Sequence, residues 1–113
     1  MSETTSNTTY RVSPQEEIEK ARKMIGFLVG RLKVKLPDIA PYITRHVRVA
    51  LETINSTRKL FPEQYEGYTW KDYLKKAIED VFDDTMPIKD ILMMELCNNL
   101  EKMLKEIVDE MPE

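Results

Sequence analysis

The stretch Thr69-Trp70-Lys71-Asp72-Tyr73-Leu74-Lys75-Lys76-Ala77-Ile78-Glu79-Asp80-Val81-Phe82 decides the fold class. Trp70, Tyr73, Leu74, Ala77, Ile78, Val81 and Phe82 recur at the three- and four-residue steps that line one face of a helix. Thr69 with Asp72 three positions later is a capping-box-like start, Asp replacing the preferred Glu. The apolar stripe needs other elements to cover it, and the flanking sequence supplies them.

Upstream, Ser13-Pro14-Gln15-Glu16 is a second helix start, with Ser13 as N-cap, Pro14 at the first helical position and Glu16 placed for a capping box. Ile18, Ala21, Ile25, Leu28 and Leu32 keep helical spacing from there, predicting a helix to about Lys35. Pro37 and Pro41 break the chain, because proline lacks an N–H and restricts the residue before it. A further helix is expected from near Pro41 to about Leu60, with Ile43, Val47, Ala50, Leu51 and Ile54 on its buried face. Residues 62–68 form the longest connection. Downstream, Pro87 to Asp109 reads as the last helix, with Pro112 just past its end. No stretch alternates with period two for long enough to make a strand.

These segments predict an all-α, compact four-helix bundle. Residues 13–113 would form the single domain, and residues 1–12, rich in Ser, Thr and Asn without apolar period, a disordered tail. A length of 113 residues suits one core. Heavy charge (33% Asp, Glu, Lys and Arg), 3 Gly and 1 Cys also fit a thermophile, as a compositional hint. Cys97 has no partner for an internal disulfide, which suits a reducing, cytoplasmic setting. The first ten residues lack the apolar stretch of a signal peptide, and the longest apolar run, Met24 to Gly30, is far too short to span a bilayer, so no membrane association is expected.

The net charge of −3 is unevenly distributed. Residues 1–62 hold 11 Lys/Arg against 6 Asp/Glu, a net of +5, and residues 63–113 hold 6 against 14, a net of −8. Lys20, Lys23, Arg31 and Lys35, with Phe27 among them, lie roughly along one stripe of the first helix. Arg45 and Arg48 extend the basic set on the second, beside Tyr42 and His46. Cations interleaved with rings suit phosphate contacts and base stacking. Arg31, Lys35, Tyr42, Arg45 and Arg48 are therefore the expected nucleic-acid-binding residues, for single- or double-stranded DNA or for RNA. The blander reading is a solvated face whose cations favour the helix C-terminus.

Two other features suggest contacts. Ile91 to Cys97 is apolar on nearly all sides, so this helix either lies centrally or presents Met93, Met94 and Cys97 to a protein partner or a second copy. Gly26 and Gly30, four apart, are expected to mark tight packing inside the bundle. Glu79-Asp80-Val81-Phe82-Asp83-Asp84 crowds carboxylates at a helix C-terminus, against the macrodipole.

Catalytic motifs are missing. His46 and Cys97 are the only residues of their kinds, and no phosphate loop, serine elbow or zinc spacing is present. The sequence therefore predicts no enzyme, no cofactor and no metal site. It predicts a non-catalytic helical module, nucleic-acid-binding or an accessory subunit of a nucleic-acid-processing assembly. The alternative is a protein-interaction or self-associating helical protein.

Overall fold

Ser13 Oγ accepts from the Glu16 N–H at 3.5 Å, and α1 (Pro14–Lys35) begins at the next residue. The computed structural model of the chain describes residues 13–83 and 94–112, and of residues 94–98 the backbone alone. α1 ends where Pro37 disfavours its continuation: Leu36 leaves the helical region, at φ −139° and ψ 69°, and its N–H closes the helix onto the Leu32 carbonyl at 2.7 Å. The Ala40 N–H then returns to the Leu36 carbonyl at 3.0 Å, which folds Pro37 into a tight turn and starts α2 (Ala40–Leu60), whose first turn takes Pro41. The other end of α2 repeats the device. Phe61 precedes Pro62, leaves the helical region at φ −132° and ψ 67°, and bonds back to the Thr57 carbonyl at 2.8 Å.

A 3₁₀ turn, Pro62–Tyr65, and Gly67 at φ +81° bring the chain to α3 (Trp70–Val81). A side chain would strain that positive φ, which is why the turn takes glycine. The connection is held by rings: Tyr65 and Tyr68 meet edge to face at 5.2 Å, and both lie against Tyr73 of α3. Asp72 accepts from the Thr69 N–H at 3.0 Å, the capping box expected from the sequence. A tertiary cap adds to it, because the Glu17 carboxylate of α1 accepts from the Trp70 N–H at 2.7 Å.

The fourth described helix, α4 (Met94–Glu110), buries Leu100, Leu104, Ile107 and Val108. Lysines tie it to α3. Lys75 pairs with Asp109 at 2.7 Å, Lys105 with Glu79 at 2.8 Å, and Lys71 donates to the Asp109 carbonyl at 3.1 Å, where the helix end leaves its acceptors unpaired. The described residues therefore form an all-α bundle of four helices. No helix among them is long and apolar enough to cross a membrane.

The central element is α3, which packs against α1, α2 and α4. Trp70, Tyr73, Leu74, Ala77, Ile78 and Val81 are all buried. Of the two alternatives held for the last helix, a central position is not the one its described part takes. Its main neighbours are α3 and α1. The expected interface of Met93, Met94 and Cys97 falls outside the description, Met93 altogether and the other two in their side chains, as does the expected helix start at Pro87.

Candidate nucleic-acid interface

Arg22 and Glu52 fix how α1 lies beside α2. Arg22 Nε reaches Glu52 Oε2 at 2.6 Å and Nη2 reaches Oε1 at 2.8 Å, a two-pronged contact of the kind a planar guanidinium makes with a carboxylate. A weaker contact, Arg58 Nη2 to Gln15 Oε1 at 3.5 Å, repeats the antiparallel register near the far end. Four-residue steps from Arg22 along α1 then lead to Gly26 and Gly30. A four-residue step back from Glu52 along α2 leads to Arg48, and a further three-residue step to Arg45, both roughly on the same flank.

The glycines border open space. A Cβ added at Gly26 or Gly30 would meet no heavy atom within 4 Å, and both residues are exposed. The expectation of tight internal packing there is overturned: no neighbour among the described residues comes within 4 Å of a Cβ at either position.

The same outer side of the hairpin carries exposed apolar groups. Phe27 is 65% exposed and Val34 83% on α1; Val49 is 57% and Tyr42 47% exposed on α2. Each is off the buried stripe of its own helix, which is why burial of the core leaves it in water. The Tyr42 ring stacks on the half-buried His46 ring, with centroids 5.9 Å apart and planes 15° from parallel. Lys23, Lys33, Arg45 and Arg48 are exposed on these two helices, and none has an ion-pair partner among the described residues.

The structure divides the expected basic set. Tyr42, Arg45 and Arg48 are together on the outer side of α2. Arg31 and Lys35 are on the opposite flank of α1, where they line a shallow groove of about 130 Å³ with Met103, Glu106, Ile107 and Glu110 of α4. Arg31 Nη1 stands 3.9 Å from Glu110 Oε1. Carboxylates of the same chain thus neighbour these two cations, which corrects their grouping with the arginines of α2. Lys20 is diverted too, its Nζ lying 5.4 Å from the Trp70 ring centroid. Lys33 was missed in the sequence. It belongs to the turn after Gly30, and only the hairpin register brings it into the set.

The acidic half is largely occupied with itself. Glu79 pairs with Lys105, Asp80 with Lys76 at 3.5 Å, and Asp83 also has an interaction partner. Burial pushes the Asp80 carboxyl above the usual carboxylate range, Lys76 pulls it back, and Glu79 and Asp83 push it further up. A groove of about 400 Å³ beside Gly67 is lined by Glu66, Asp72 and Glu79 together with Lys75 and Lys76. The alternating charge gives that groove no preference for an anion or a cation. No group of three or more His, Cys, Asp or Glu among the described residues could hold a metal ion.

Comparison with known proteins leaves the geometry as the sole guide, since no family model, curated protein or solved structure matches this chain.

Proposed function

We propose that this protein is a non-catalytic binding module that holds nucleic acid on the outer side of the α1–α2 hairpin. The observation that carries this reading is the contrast in how the two halves use their charges. Lys75, Lys76 and Lys105 of α3 and α4 are engaged by carboxylates of the same half. Arg45 and Arg48, exposed on α2, have no such partner among the described residues and stand beside an exposed tyrosine. Unpaired exposed cations attract a polyanion, and phosphate contacts supply most of the affinity of such binding. With base-edge contacts few, sequence is read weakly or not at all.

The experiment is fluorescence anisotropy with labelled oligonucleotides, comparing the unchanged protein with the double variant Arg45→Glu/Arg48→Glu. Circular dichroism checks that the fold is retained. Loss of binding by the folded variant supports the reading, and unchanged affinity contradicts the assigned face.

A second reading, a protein-docking module in the cytoplasm or elsewhere, is favoured by Val34 and Val49. Exposed aliphatic side chains add nothing to phosphate binding but pack well against a partner helix.

A further inference from the structure

Resting on the reading above, we infer that the nucleic acid held by this face is single-stranded. The first reason is shape. Two antiparallel helices side by side present a face about 20 Å wide, since each helix with its side chains measures about 10 Å across. The major groove of a DNA duplex is about 12 Å wide and admits one helix. The hairpin's outer side therefore cannot enter it to reach base edges, and a duplex offers this face only phosphate and sugar.

The rings supply the second part. Phe27, 65% exposed, and Tyr42, 47% exposed, stand on the two helices of the hairpin, and nothing lies within 4 Å of a Cβ built at Gly26 or Gly30. Phosphate contact alone has no use for either ring, whereas unpaired bases stack on exposed aromatics whatever their sequence. Tyr42 is already braced by His46 behind it, at 15° from parallel, so one side of its ring is supported while the residue remains half exposed. Cations and rings also alternate across the surface, with Lys23 one turn from Phe27 on α1, and Arg45 one turn from Tyr42 on α2. Backbone and bases of one strand can thus be held together, the arrangement used by sequence-tolerant single-strand binders. A duplex leaves both rings idle.

The charge complement points the same way. Duplex binders depend on many simultaneous phosphate contacts, but this face has four cations without an ion-pair partner among the described residues. Stacking compensates for a short cation set only when bases are free to stack.

The test measures the anisotropy of a labelled 20-nucleotide mixed-sequence strand, as DNA and as RNA, and of the same sequence as duplex, at low and physiological salt. Phe27→Ala and Tyr42→Ala are measured beside the unchanged protein. Both residues are surface-exposed, and circular dichroism checks that each variant stays folded. The expected result is at least tenfold tighter binding of the single strand, falling about tenfold in each ring variant, with little change in the weak duplex binding. Equal or tighter duplex binding that Phe27→Ala and Tyr42→Ala leave unaltered overturns the single-strand inference while leaving the basic face intact. Binding to neither form at low salt overturns the nucleic-acid reading itself. A synthetic acidic amphipathic helix that binds under those conditions would then assign the face to a protein partner.

Discussion

Arg22 and Glu52 clasp the two helices of the α1–α2 hairpin through two contacts, at 2.6 and 2.8 Å, and so set the antiparallel register of α1 against α2. The pair is a positioning device more than a source of stability. Its side chains are 38% and 51% exposed, so water and salt screen it heavily. Exposed pairs contribute at most about 1 kcal/mol.

Glu52→Gln should therefore cost only about 0.5 kcal/mol at neutral pH and low salt, less at high salt. The hydrogen bonds from Arg22 hold the Glu52 carboxyl below its usual range, against the opposing effect of burial. A carboxylate depressed in the folded state stabilises fully above its unfolded pKa, about 4.3, and the contribution is lost as pH falls through the lower folded value. Urea unfolding from pH 7 to pH 3 should show the difference between the two proteins shrinking below about pH 4.

Asp80 titrates with the opposite sign. Its raised carboxyl means that folded stability falls as pH climbs from the ordinary carboxylate range through the raised value. Asp80→Asn gives up the 3.5 Å pair with Lys76 but removes a part-buried charge beside Glu79 and Asp83 near a helix C-terminus. The variant should melt a few degrees higher at pH 7, a gain of roughly 0.5 kcal/mol. The gain should vanish near pH 3, where Asp80 is protonated in both states. A lower melting point at pH 7 would mean that the Lys76 pair outweighs the repulsion.

Gly26→Ala and Gly30→Ala meet open space inside a regular helix. Alanine restricts the unfolded chain and is the better helix former, so each change should stabilise the protein by about 0.5 to 1 kcal/mol. Thermal melts of the double variant test this, with a rise of several degrees expected. A fall would reveal a close neighbour at the seam.

How far the sequence carried this account depends on the element. The start of α1 at Ser13-Pro14, the break at Leu36-Pro37 and the capping box of Thr69 and Asp72 were legible because each is local: a cap, a missing N–H, a reach-back carboxylate. The buried stripes of α1, α2 and α3 were legible from period alone. What periodicity cannot give is which flank of a helix meets which neighbour. Arg31, Lys35 and Arg45 looked alike as exposed cations, yet α4 brings Glu106 and Glu110 to the first two and not to the third. The glycines misled for the same reason. Spacing shows that a surface is smooth, but only the positions of the other helices show whether that surface is covered. The Arg22–Glu52 clasp spans thirty residues and left no local signal.

The loss of one large core side chain should confirm that α3 is the centre of the fold. Leu74 is fully buried on the helix that meets the other three. Leu74→Ala should cost about 2 to 5 kcal/mol, a large share of the stability of a domain this size. Chemical denaturation measures it directly, and a loss below about 1 kcal/mol would contradict the central placement.

The most direct test of the central claim is the salt dependence of oligonucleotide binding. Single-strand affinity, titrated by anisotropy between about 50 and 200 mM salt, should fall with a log–log slope near −2 to −3, as expected for three or four phosphates neutralised. In Arg45→Glu/Arg48→Glu the remaining binding should be weak and the slope shallower. Affinity that does not change with salt, or a slope that the charge reversal leaves intact, would contradict the assignment of the hairpin's outer side as a phosphate-binding face.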